Sequence, residues 1–319
     1  MTTRITKIRV VIGGLTASIV IPSIPIAIWW YKAQEDRSSL AENVRTKVRV
    51  PGVQTTDDRI IQSIKPGDVI VFDRRCETSA AGPLSALNCI LSKRFLCYPN
   101  NGTVASSLTE GSSFNHVGVV VPGYSAEKYH DSSDLLLLEA TASGIVARPL
   151  LTRLEMSRSR TVLLLPLCAP GEHRRKDFNL LRETDESVVG QNRDEDEEKV
   201  QKLTLNVRKQ LIKFRDINLA ASQKYKYQHY HSLIGLSGCF AYAIGHANNS
   251  YSPVSPAAWL VVSALQSAGI AMHVDGLSAM TAKPEDFLRD HRFHELHTVR
   301  LRPGWKFLPP LTLRETSRF

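Results

Sequence analysis

The sequence predicts an α+β domain, a small antiparallel sheet packed against helices, placed behind one N-terminal transmembrane helix. Three observations carry this. Short apolar runs recur between residues 69 and 167, and their close spacing favours an antiparallel sheet over βαβ units. Apolar residues then recur at helical spacing beyond residue 200, and a capped helix begins near 256. Finally, Val10 to Trp30 contains no charged residue.

Residues 1–9 are a basic flank with Arg4, Lys7 and Arg9. The uncharged run that follows has 21 residues. As a helix it spans roughly 31 Å, about the hydrocarbon thickness of a bilayer. Trp29, Trp30 and Tyr31 suit the headgroup layer, so the anchor is placed at 10–31. A cleaved signal peptide is the rival, but the run is long for one and no clear small-x-small site follows it. Both flanks are basic, which leaves orientation open. The acid-free start favours a mitochondrial membrane, with a secretory or surface membrane as the alternative.

Residues 32–60 read as a polar stalk, and 61–299 as the folded domain. Lys65-Pro66-Gly67-Asp68 turns into a first strand, Val69 to Phe72. Pro83 to Leu96 is expected to be a helix with Leu84, Leu87, Ile90 and Leu91 on one face. Further strands are expected at Val117–Val121, Leu135–Ala140, Gly144–Leu150 and Thr161–Leu167. Residues 169–199 read as a flexible insertion, densely acidic from Glu183. A long amphipathic helix then carries Val200, Leu203, Val207, Leu211 and Phe214. Ser255 is the N-cap of the next helix, Pro256 lies in its first turn, and Gly269 stops it. Residues 300–319 form a basic and aromatic tail, which either contacts a partner or lipid surface or folds back over its own core.

Net charge is +9, but the basic residues are scattered. That permits contact with phosphates or anionic lipid without requiring it. No Gly-rich phosphate loop or RNA-binding aromatic motif is present, so no nucleic-acid partner is expected. Five cysteines at irregular spacing signal neither a zinc site nor a disulfide framework. His229, His231 and His246 lack metal-site spacing, and no metal or cofactor is expected. Asn101-Gly102-Thr103 and Asn248-Asn249-Ser250 are glycosylation sequons of low specificity.

Four segments occur in one order: KPGDVIVF from Lys65, FNHVGVVV from Phe114, LLEATASGIVARPL from Leu137, and AAWLVVSALQSAGI from Ala257, trailed by TAKPEDFL from Thr281. Together they resemble the circularly permuted papain-like YaeF/YiiX amidase family, related to NlpC-type peptidases and lecithin–retinol acyltransferases. The likeness covers about residues 60–290. It implies a permuted papain-like domain in which His116 is the base and Glu139 its carboxylate partner. On the residues alone, imidazole can take up and return a proton near neutral pH, although a lone strand-edge histidine also packs structurally. Glu139 lies in an otherwise apolar strand, where a buried carboxylate needs a partner, unless it sits at the exposed strand end.

The nucleophile is where the likeness fails. The family's cysteine position, counted back from Val261 and Gly269, falls on Ala257, and Ala258 and Trp259 replace the residues that follow it. A methyl group cannot attack a carbonyl. Trp259 is expected to fill the acyl-group space. Ser255, as an N-cap, is committed to a backbone N–H. Cys239, within Ser237-Gly238-Cys239-Phe240, resembles the nucleophile segment of unpermuted papain and would be activated at a helix N-terminus; a buried structural cysteine is the plainer reading. The expectation is a membrane-anchored, catalytically inactive amidase homologue that serves as a binding or structural subunit, with protein-complex partners and the bilayer as its contacts. The alternative is an active thiol hydrolase or acyltransferase using His116, Glu139 and Cys239.

Overall fold

The strands are continuous runs of branched and aliphatic residues, so both sheet faces must be covered. In the computed structural model, which describes residues 25–43, 63–76, 82–95, 114–124, 134–172, 193–224, 230–243, 252–272, 279–288 and 299–315, they are. Strands β1 (Val69–Asp73), β2 (His116–Pro122), β3 (Leu135–Thr141), β4 (Gly144–Pro149), β5 (Thr161–Leu165) and β8 (Leu311–Glu315) form one sheet. Its order is β4-β3-β2-β1-β5-β8, and every neighbouring pair is antiparallel. A short second pair joins β6 (Leu167–Cys168) to β7 (Lys306–Phe307).

Val69, Val71, Val117, Val119 and Val121 face the larger core. That core is completed by Val207 and Leu211 of the long helix Arg193–Lys224 and by Leu260, Val261 and Leu265 of the helix Pro256–Ser267. Ile70, Phe72, Val120, Leu137 and Leu164 face a smaller core with Leu150, from the short helix Leu150–Glu155. The expected capped helix holds. Ser255 accepts from the Ala258 N–H at 3.4 Å, and Gly269 follows the C-cap Ala268 at φ 74°.

Three expectations change. The helix Pro83–Phe95 forms, but Leu84, Leu87 and Ile90 are exposed, and Ala86 and Cys89 are the buried side. A Cys76–Cys89 disulfide and a Lys93–Asp73 ion pair at 2.5 Å fix the helix by its small-residue face. The disulfide itself was not legible in the cysteine spacing. The supposed stalk, 32–60, is helical over 32–43, within a helix that runs over 25–43, and its Asp36 pairs with Arg158 at 3.1 Å. The supposed insertion is folded at both ends: Glu172 accepts from Lys65 at 2.8 Å, and the long helix already begins at Arg193, whose acidic first turns favour a helix N-terminus. Of the two readings left open for the C-terminal tail, the one that folds back over its own core holds. Trp305 and Phe307 pack against the larger core, and β8 adds an edge strand to β5.

Residues 10–24 of the apolar run lie outside the described residues. The helix over 25–43 carries Lys32, Glu35, Asp36 and Arg37, and among the described residues no helix is long and apolar enough to cross a membrane. Residues 44–60 of the stalk, residues 173–192 of the insertion, His229, His246 and both sequons also lie outside them.

Candidate functional site

His116 opens β2, opposite Phe72 of β1. Asn115, just before it, fixes the entry: its N–H donates to the Phe72 carbonyl and its side-chain oxygen accepts from the Arg74 N–H at 3.0 Å. Asn115 Nδ2 also lies 3.1 Å from Cys89 Sγ, so the disulfide buttresses this corner. Glu139 rises from β3 on the same sheet face, which it shares with Leu135 and Leu137. Gly118 makes this possible, because a Cβ there would stand 3.0 Å from Glu139 Cγ. The glycine of the HVG motif is thus the seat of the carboxylate.

His116 Nε2 and Glu139 Oε1 are 2.8 Å apart, with the two residues 2% and 0% exposed. Glu139 has a second partner that the sequence did not announce. Arg153, from the short helix after β4, donates to it through Nε at 2.6 Å and Nη2 at 2.9 Å. Its guanidinium also stacks over Phe72, 4.6 Å from the ring centroid. Burial alone would raise the Glu139 pKa, but Arg153 and the His116 hydrogen bond hold it well below the carboxylate range. His116 is pulled down to about 4, first by burial and then by Arg74, against the opposing pull of Glu139. Arg74 is itself lowered to about 10 by burial and by Arg153.

The imidazole is therefore neutral at pH 7, with Nε2 donating to an ionised carboxylate. That tautomer leaves Nδ1 as the basic nitrogen. The surroundings nonetheless oppose an imidazolium: Arg153 neutralises the carboxylate that would stabilise it, and Arg74 repels it.

His116 and Ala257 line the same small cavity, of about 40 Å³, with Asn115, Ser255 and Arg74. The N-terminus of the Pro256–Ser267 helix presents Ser255, Pro256 and Ala257 there, with the Ser255 oxygen accepting from the Ala258 N–H. Trp259 packs against the larger core and lines neither this cavity nor the larger one beside it. Cys239 does not meet the expected condition for activation. It lies late in the helix Tyr230–Ala243, not at its N-terminus, and packs with Val254 and Leu91. Burial pushes its thiol up to about 11. Gly238 in that motif has a packing reason, since a Cβ would meet the Pro253 carbonyl oxygen at 2.0 Å. Among the described residues no cluster of His, Cys, Asp or Glu is placed to hold a metal ion.

On the other side of His116 opens a cavity of about 510 Å³, roofed by the helix over 25–43. Arg37, Arg74, Arg75, Arg148, Arg153 and Arg158 line it. Sequence reasoning passed over these arginines because they read as scattered charge. The available signal was their position: Arg74 and Arg75 just beyond β1, Arg148 in β4, and Arg153 and Arg158 in and after the helix that follows it.

Fold and site together define an α+β domain with a buried His–Glu–Arg network and an alanine where the likeness places a nucleophile. Comparisons of the chain with family models, with curated proteins and with solved structures found no match in any of the three.

Proposed function

We propose that this chain is a membrane-anchored, catalytically inactive relative of the permuted papain-like thiol amidases, acting as a binding or structural subunit. The observation that carries the reading is the state of the former dyad. Glu139 is bound bidentately by Arg153, His116 is held neutral, and the small cavity His116 lines has Ala257 at the position the likeness gives to the nucleophile. A working triad needs its carboxylate to stabilise the imidazolium and a nucleophile within hydrogen-bond reach of the base. Here Arg153 answers the carboxylate, and the alanine supplies no attacking atom. The tether is assigned to residues 10–31. Ile26, Ile28, Trp30 and Tyr31, exposed on the helix that continues this run, support it. The Cys76–Cys89 disulfide supports placing the domain on an oxidising side of that membrane, as at a secretory or surface membrane. The acid-free N-terminus still favours a mitochondrial membrane.

The test is labelling of the full-length protein with a thiol-directed acyl probe, beside His116→Gln. No His116-dependent labelling is expected. Saturable labelling of Cys239 that disappears in the variant would establish the active thiol enzyme instead.

A further inference from the structure

The cavity over the former dyad carries a charge pattern that an amide substrate does not call for. Six guanidinium groups line it; Glu139 holds Arg153, and Asp36 pairs with Arg158. Three elements of the domain and the roofing helix contribute the arginines, so the cluster is tertiary and not a run of like charges. The Nε of Arg74 is buried and has no hydrogen-bond partner among the described residues. Burial lowers Arg148, and Arg153 and Arg37 lower it further while Glu139 opposes them, so these guanidiniums repel one another across the space. Such a cluster is costly while nothing negative lies between its members.

We propose that this cavity binds a polyanion bearing two phosphate groups, held by forked contacts from Arg74, Arg148 and Arg37. The proposal rests on the binding role given above and names the ligand chemistry for the same site. Arginine's planar fork matches phosphate oxygens two at a time. A phosphate group carries roughly −1.5 to −2 at pH 7. Two of them together answer the three guanidiniums of Arg37, Arg74 and Arg148. The volume of about 510 Å³ has room for a diphosphate with an organic substituent. The same chemistry is offered by a soluble diphosphate and by a lipid headgroup that bears two phosphates, and the exposed Ile26, Ile28 and Trp30 place apolar surface on the roofing helix.

The experiment measures saturable binding and thermal stabilisation of the full-length protein in detergent. Inorganic pyrophosphate and dihexanoyl phosphatidylinositol 4-phosphate, each with two phosphate groups, are the probes, against sodium chloride at equal ionic strength. Binding of at least one probe is expected. Tighter binding of pyrophosphate assigns a soluble source, and tighter binding of the lipid a headgroup; either upholds the site. In Arg37→Gln/Arg148→Gln the affinity should fall about tenfold or more, as loss of charge-assisted contacts requires. Asp36 is half-exposed, and Asp36→Asn removes the competing carboxylate of Arg158, so affinity should rise about threefold. A merely unfolded variant cannot produce that gain. Absence of saturable binding, or binding unaltered in both variants, overturns the proposal. His116-dependent thiol labelling would overturn the inactive-enzyme reading and leave this result standing, so the two failures are distinct.

Discussion

At the level of single residues, the neutrality of His116 sets a pH dependence. Its folded pKa of about 4 lies below the ordinary value of 6.5, so between these values the unfolded chain binds a proton that the folded one does not. Stability therefore rises with pH across this window and is fully present above 6.5. Lowering the pH removes it, with a slope approaching 1.4 kcal/mol per unit from this group. Glu139 acts in the next window down: its depressed pKa gives stability above the ordinary carboxylate range that is lost in more acid solution. Replacing His116 by Gln keeps a donor for Glu139 and removes the titration. Urea unfolding of wild type and His116→Gln from pH 7 to pH 4.5 should give a slope in the first and a flatter line in the second. Equal slopes would mean that His116 is not held neutral. The groups facing the ring in this network are Glu139, Arg74 and Arg153.

Among the elements, the C-terminal segment decides more than its composition suggests. Arg300, Arg302, Lys306, Arg314 and Arg318 beside aromatics and prolines equally suit an extended contact. The hydrogen bonds decide otherwise. Met272 N–H donates to the Arg300 carbonyl, Arg302 N–H to Ile270, and Leu308 N–H to Pro166, before β8 pairs with β5. Leu311 and Leu313 pack on the smaller core. Truncation after Pro303 removes β7 and β8 and leaves β5 as an unpaired edge. It should lower stability by roughly 3 kcal/mol or more, from the apolar area uncovered. Differential scanning fluorimetry checks this, and an unchanged melting temperature would return the segment to the role of a free contact arm. The helix Pro83–Phe95 teaches the converse. Its apolar stripe at 84, 87 and 90 reads as a core face, yet a disulfide and an ion pair hold the opposite side against the domain.

For the whole molecule, the proposed tether runs into a helix that packs on the domain, with Ala33 buried and Asp36 paired to Arg158, so a span at 10–31 would hold the domain close beside it. Carbonate extraction of membranes expressing the full chain should leave it in the pellet. Release into the supernatant would mean that residues 10–31 do not span, and the exposed apolar residues of the helix would then need another explanation.

Sequence alone determined the five strands between residues 69 and 167, the helical runs at 200–214 and 256–267 and the Ser255 cap, while the pairing of His116 with Glu139 came from the family resemblance. The strands, helical runs and cap are local features. The flanking glycine of HVG was legible as a motif, while its reason, the Glu139 side chain in its place, was not. Tertiary structure alone decided the arginine cavity, the disulfide, the return of the C-terminus and the burial of Cys239. The physical reason is common to all four. Charges, thiols and edge strands carry no periodicity, so their partners are set by the chain path in three dimensions and not by spacing along it. Arg153 is the plainest case. Nothing in its local sequence points to Glu139, yet its bidentate contact determines the electrostatics of the whole site.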